Sequence, residues 1–109
     1  MNPLAAPPQP PYWAVVFTSV RRGGADDGYG RTAEAMLARA REQPGFLGVE
    51  TARGADGVGI TVSYWTSLEA IDRWRRDPAH MAAKARAGEW YADHRLRICR
   101  VEANGADGP

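Results

Sequence analysis

The chain has 109 residues, with 14 basic and 13 acidic side chains for a formal net charge of +1, and no run of like charge that would point to nucleic acid. No apolar stretch approaches the roughly 18 residues of a membrane span, and no charged-then-apolar leader opens the chain. A single cysteine, Cys99, allows neither an internal disulfide nor a cysteine-based metal cluster, which leaves a cytoplasmic domain with no nucleic-acid or membrane partner as the expectation.

Met1–Pro11 holds five of the eight prolines and is expected to be an extended or disordered arm. Tyr12–Val20 (YWAVVFTSV) is β-branched and aromatic and reads as a strand. Arg21–Gly28 (RRGGADDG) is a loop, a candidate lid that lacks the strand–glycine–helix spacing of a phosphate site. From Tyr29 the period becomes helical, with Ala33, Met36, Leu37 and Ala40 on one face, until Pro44-Gly45 ends the helix. Phe46–Arg53 is a second strand, and Gly54-Ala55-Asp56-Gly57 supplies a hairpin signal. Val58–Trp65 alternates, with Val58, Ile60, Val62 and Tyr64 on one side and Gly59, Thr61, Ser63 and Trp65 on the other.

Thr66 with Glu69 three residues on fits a capping box for a helix whose stripe is Leu68, Ile71 and Trp74. Asp77-Pro78 restarts the helix, because aspartate caps and proline sits where a missing amide costs nothing. Gly88 is a candidate C-cap. The last strand falls near His94–Glu102, with Leu96 and Ile98 opposite Arg95, Arg97, Cys99 and Val101. The folded domain is therefore expected over residues 12–102, about ninety residues and one modest core, between the arm (1–11) and a flexible tail (103–109).

Strand, helix, strand, strand, helix, strand with right-handed crossovers gives an α+β, ferredoxin-like βαββαβ unit, a four-stranded antiparallel sheet with helices on one face. The apolar first and third strands suit its centre; the second and fourth, with Glu50, Arg53, Arg95, Arg97 and Arg100, suit its edges. Tyr12, Ala14 and Val16 line one side of the first strand, and Trp13, Val15 and Phe17 the other, so neither face is polar. Trp13, Phe17 and Trp65 are expected on the uncovered face, where they would leave several hundred Å² of apolar surface in water, worth several kcal/mol at ~25 cal/mol per Å². A homodimer with its two sheets face to face is the expected solution.

The chain's 19 alanines, and arginine at 13 of its 14 basic positions, need nothing beyond a GC-rich codon bias. Four tryptophans and four tyrosines are more aromatic surface than a minimal core uses, and such side chains line ligand pockets as well as cores.

Gln43-Pro44-Gly45-Phe46-Leu47-Gly48-Val49-Glu50, then Gly59–Trp65 (GITVSYW), then Ser67-Leu68-Glu69-Ala70-Ile71 with Trp74 and His80, resembles antibiotic biosynthesis monooxygenase (ABM) domains, over roughly Tyr12–Glu102. The resemblance implies a dimeric α+β barrel. It also places the chain among three kinds of member: those that oxygenate polyketide aromatics in secondary metabolism without metal or flavin, those that bind and degrade haem, and many with no assigned activity. Haem-degrading members use an asparagine on the first strand, a tryptophan on the second helix and a histidine about ten residues later. Here Trp74 matches, but the asparagines are Asn2 and Asn104 in the tails. Lys84 stands ten residues after Trp74, and His80 only six.

The leading expectation is a cofactor-independent monooxygenase acting on a planar aromatic or enolisable small molecule. The alternatives are a haem-binding or haem-degrading monooxygenase, a non-catalytic ligand-binding or accessory dimer, and a cyclase or isomerase. Such an oxygenase needs an apolar pocket, a base for a phenol and a donor or cation for the oxyanion. His80, in the first turn of a helix capped by Asp77, is the leading base candidate, since the dipole there favours neutral imidazole; it reads equally as a surface histidine bonded to a neighbour. His94 could serve instead, or be structural. Arg97 would steady an enolate if its strand face lies inside the dimer, or else form an intersubunit ion pair. Trp13, Phe17, Trp65, Trp74, Trp90 and Tyr91 are candidates to wall a pocket for a planar ligand, with plain core as their other reading. No metal site is expected.

Overall fold

Strand β1 (Tyr12–Arg21) runs down the middle of a four-stranded antiparallel sheet. It is followed by helix α1 (Tyr29–Arg41), β2 (Phe46–Arg53), β3 (Val58–Trp65), α2 (Leu68–Arg75), α3 (Pro78–Ala85), α4 (Ala87–Trp90) and β4 (Tyr91–Val101), in the order β2-β3-β1-β4. The computed structural model describes residues 3–23 and 28–105, so residues 24–27 of the candidate lid and residue Asn2 lie outside the described residues. The apolar strands are central and the charged ones are at the edges, as their compositions require. No helix among the described residues is long and apolar enough to cross a membrane.

Register fixes the two faces. Trp13, Val15, Phe17 and Ser19 of β1 pair with Trp65, Ser63, Thr61 and Gly59 of β3, and with Arg100, Ile98, Leu96 and His94 of β4. This is the face under the helices. Trp65 is wholly buried, and Ala40, Ala70, Ile71 and Trp74 close over it, with Trp13, Val15, Met36 and Phe46 packed against them. Removing an indole of that size from water contributes of the order of 5 kcal/mol at about 25 cal/mol per Å².

The expectation that Trp13, Phe17 and Trp65 stand on the uncovered face is therefore corrected. Strand alternation separates two sets of side chains without saying which set the helices cover. The open face carries Val16, Val58, Ile60 and Val62 with Arg95, Arg97 and Cys99, and Ile60 is 48% exposed.

Local signals were displaced by a residue or two at several ends. The N-cap of α2 is Ser67, not Thr66; its hydroxyl accepts the Ala70 N–H at 3.1 Å. Leu68 is 46% exposed, and Ala70 joins Ile71 and Trp74 in the core instead. Gly88 lies within the short helix α4 rather than capping α3, which ends at Ala85 with Arg86 as its C-cap. Gly45, with φ +85°, turns the chain out of α1, and its carbonyl accepts the Thr66 N–H at 2.9 Å.

The Pro-rich arm is pinned where described. The Ala5 N–H donates to Glu50 Oε2 at 3.1 Å, and Asn104 joins arm to tail by donating to the Pro8 carbonyl (2.8 Å) and accepting the Tyr12 hydroxyl (2.6 Å). Beneath it, the Tyr64 hydroxyl donates to Glu50, and burial together with that carboxylate pushes its pKa up to about 12.

Candidate active site

Between the covered face of the sheet and the helices lies a cleft of about 470 Å³. The sheet supplies Val15, Phe17, Thr61, Ser63, Trp65, His94 and Leu96, while the helices supply Met36, Leu37, Ile71, Trp74, His80, Lys84 and Trp90. It is mostly apolar with a few converging polar groups, the composition of a small-molecule site.

The placement of His80 follows from the break at Asp77-Pro78. Asp77 Oδ1 accepts the N–H groups of Ala79 (3.0 Å) and His80 (3.2 Å), which starts α3. The same oxygen accepts Arg39 Nε at 2.7 Å, tying α3 to α1, and this bond holds the Asp77 carboxyl below the usual carboxylate range. In an unbroken helix the Trp74 carbonyl would take its hydrogen bond from residue 78, but Pro78 has no N–H. That carbonyl instead receives the Asp77 N–H at 3.1 Å and the His80 ring, whose Nδ1 lies 3.0 Å away.

A carbonyl can only accept, so Nδ1 carries the proton and the lone pair of the neutral ring is on Nε2. The imidazole stacks on the Trp74 indole with centroids 4.3 Å apart and planes 7° apart. Burial lowers its pKa, against the bond to the Trp74 carbonyl, and the charges of Lys84 and Arg75 lower it further. At neutral pH the ring is an uncharged acceptor.

A second polar group stands among the aromatic rings contributed by α1 and β4. The Tyr91 hydroxyl donates to the Tyr29 hydroxyl at 3.1 Å, and burial followed by that bond holds the Tyr91 phenol well above its ordinary pKa. Arg53 backs the pair. Its Nη2 donates to the buried Ser19 hydroxyl at 2.7 Å and, at 3.5 Å, to Tyr29. The guanidinium lies over Gly59, where a Cβ would fall within 2.5–2.8 Å of its atoms, so only glycine leaves it room.

Of the residues singled out from sequence, His80, His94, Phe17, Trp65, Trp74, Trp90 and Tyr91 all line this cleft. His94 sits beside Phe17 (centroids 5.6 Å) and Tyr91 (6.2 Å). Trp13 is not among the lining residues; it packs against the core cluster. Arg97 is not a cleft residue either, because it alternates with Leu96 and Ile98 and stands opposite Val16 on the open face. The haem-type pattern is met only at Trp74, since Asn104 is engaged with Pro8 and Tyr12.

Sequence reasoning missed Tyr29, Arg53 and Arg75 altogether, and met Lys84 only as a mismatch. Lys84 follows His80 by four residues, one helical turn, which is the signal that could have found it.

The family profile described as "Antibiotic biosynthesis monooxygenase" matches residues 11–86. The uncharacterized protein YqjZ of Bacillus subtilis is 50% identical over 103 residues, covering 94% of this chain and 90% of YqjZ. Among solved structures, Rv0793 of Mycobacterium tuberculosis superposes with a TM-score of 0.71 at 18% identity, covering 89% of this chain and 99% of that one. SnoaB, a cofactor-independent oxygenase from Streptomyces nogalater, gives a TM-score of 0.69 at 16% identity, covering 90% of this chain and 98% of SnoaB. At such identities the structural likeness concerns the fold, and membership rests on the profile match and the YqjZ relationship. The chain belongs to the antibiotic biosynthesis monooxygenase family.

Proposed function

We propose that the protein is a cofactor-independent monooxygenase for a planar aromatic or enolisable small molecule, working in the cytoplasm as a homodimer joined through the open sheet face. One observation carries the catalytic part: an apolar cleft walled by aromatic rings holds a neutral imidazole whose Nδ1 proton is committed to a backbone carbonyl. Family membership, and the printed activity of SnoaB, support the same reading.

In the reaction, His80 Nε2 takes a proton from an activated CH₂ or phenol of the substrate, in the manner of a general base. The resulting carbanion adds to dioxygen, forming a C–O bond. The peroxide anion recovers the proton from His80, and the hydroperoxide then loses water as its O–O bond breaks and the second C–H proton leaves. The balance is CH₂ + O₂ → C=O + H₂O, with the substrate as the only reductant. Trp65, Trp74, Trp90 and Phe17 hold the ring plane. Tyr29, whose hydroxyl oxygen accepts the Tyr91 O–H, donates its own proton to the developing oxyanion, with Tyr91 and Arg53 behind it.

For the dimer, Val16, Ile60 and Val62 replace the aromatics as the apolar surface to be covered. Oxygen consumption with an anthrone, above the uncatalysed background, tests the activity, and His80→Gln is expected to lower kcat by about 10²–10⁴-fold with an unchanged circular dichroism spectrum. Unaltered turnover in that variant would remove His80 from the mechanism, and no uptake by the parent protein would overturn the oxygenase reading.

A further inference from the structure

The walls of the cleft include two cations, Arg75 at the end of α2 and Lys84 in the last turn of α3, and no aspartate or glutamate among the described residues. Five arginines elsewhere pair with carboxylates: Arg39 with Asp77, Arg76 with Asp72, Arg86 with Glu89, Arg95 with Asp93 and Arg100 with Glu102. Among the described residues Arg75 and Lys84 have no such partner; Arg22, Arg41, Arg53, Arg73 and Arg97 have none either, but of these seven only Arg75 and Lys84 line the cleft. Both flank His80: Lys84 is one turn further along the same helix, and Arg75 follows the tryptophan whose carbonyl holds the ring. Their charge reaches that ring, for each lowers its proton affinity.

A neutral phenol offers these cations only an acceptor oxygen. An anion offers a full counter-charge, and both side chains stand exposed where the cleft meets solvent, within reach of a charged group whose ring lies among the apolar walls. We infer that the substrate of this cleft is a planar aromatic carboxylate, its ring among the tryptophans and its carboxylate between Arg75 and Lys84. The inference deepens the oxygenase reading and rests on it for the site. Arg75 and Lys84 then act as specificity-determining residues, with Arg75 offering a fork that matches a carboxylate and Lys84 a point charge.

The test is equilibrium binding under argon, read by quenching of tryptophan fluorescence, with two probes that share a ring: 1-hydroxy-2-naphthoate and 1-naphthol. The parent protein is expected to bind the naphthoate at least about tenfold more tightly, as charge-assisted bonds imply. Arg75→Gln and Lys84→Gln should each remove a threefold or larger part of that preference, and the double variant all of it. The naphthol Kd should stay within twofold. Arg76→Gln, which alters a cation already paired with Asp72, should leave the preference intact. Equal affinities, a preference that survives in the double variant, an equal loss in Arg76→Gln, or failure of either probe to bind would each overturn the inference. Oxygen uptake is measured separately: a preference without anthrone oxidation removes the oxygenase but keeps the anion site, and oxidation without a preference does the reverse.

Discussion

Replacing Gly45 by alanine strains the junction that seats α2 on the sheet. The residue has φ +85°, and a non-glycine residue in that region costs about 1–2 kcal/mol. The new methyl would fall 2.6 Å from Ala70 Cβ and 2.6 Å from Thr66 Oγ1. Neither atom is the loose end of a long side chain: Ala70 is 1% exposed in the first turn of α2, so the helix itself must move. Overpacking of that kind costs about 1–3 kcal/mol, for a total of about 2–5 kcal/mol. Urea unfolding followed by tryptophan fluorescence should show that loss, and a thermal melt should show Tm lower by about 8 °C or more. Gly88→Ala is the control of opposite sign. Its Cβ meets nothing within 4 Å and it lies in a helical turn, so alanine should stabilise by about 0.5–1 kcal/mol. A Gly45→Ala protein within about 0.5 kcal/mol of the parent would refute both the conformation and the contact assigned to this glycine.

Three further expectations concern the faces of the sheet and the cleft between sheet and helices. Gly59→Ala should push the Arg53 guanidinium, the far end of a flexible side chain, off the buried Ser19 hydroxyl, at a cost of about 1–3 kcal/mol; in a double-mutant cycle with Arg53→Ala the two losses should fail to add, and additivity would show that they are uncoupled. The depressed pKa of His80 means that, below its ordinary value of 6.5, the unfolded chain binds a proton the folded one resists. Stability should therefore rise with pH through the window below 6.5 and level off above it, by more in the parent than in His80→Gln; equal slopes in the two proteins from pH 5 to 7.5 would contradict the assignment. Cys99 lies exposed on the open face, so if a second copy covers that face, its reaction with a thiol reagent should slow as protein concentration is raised, and a concentration-independent rate would argue against this interface.

Much of the architecture was legible because period and punctuation are local. The alternation of Val58–Trp65, the Asp56-Gly57 turn and the Asp77-Pro78 restart each follow from a few neighbouring residues, and each stands in the structure. What the sequence left open was which side of the sheet the helices choose. β1 is apolar on both sides, so Trp13, Phe17 and Trp65 could be separated from Val16, Ile60 and Val62 without knowing which set is covered. The same ambiguity hides from the sequence which apolar set lies open and that Arg97, opposite Val16, faces away from the cleft. The aromatic members of the cleft were found because large rings are rare. Arg53, Arg75 and Lys84 were not, because an arginine or lysine on an amphipathic element looks the same whether water or a ligand lies beyond it.

The bond between His80 and the Trp74 carbonyl separates two properties that many sites couple. Which nitrogen of the imidazole is basic is decided by main chain, through a proline that withholds an amide, and not by any side chain that a ligand would touch. Residues around the cleft can then change, exchanging a cation for a neutral group or one ring for another, and alter what is admitted, or shift the pKa of the imidazole, without moving its lone pair off Nε2. A lineage built on this helix break is free to drift in ligand while the tautomer of this histidine stays fixed, and its members would be expected to share that tautomer more closely than a ligand.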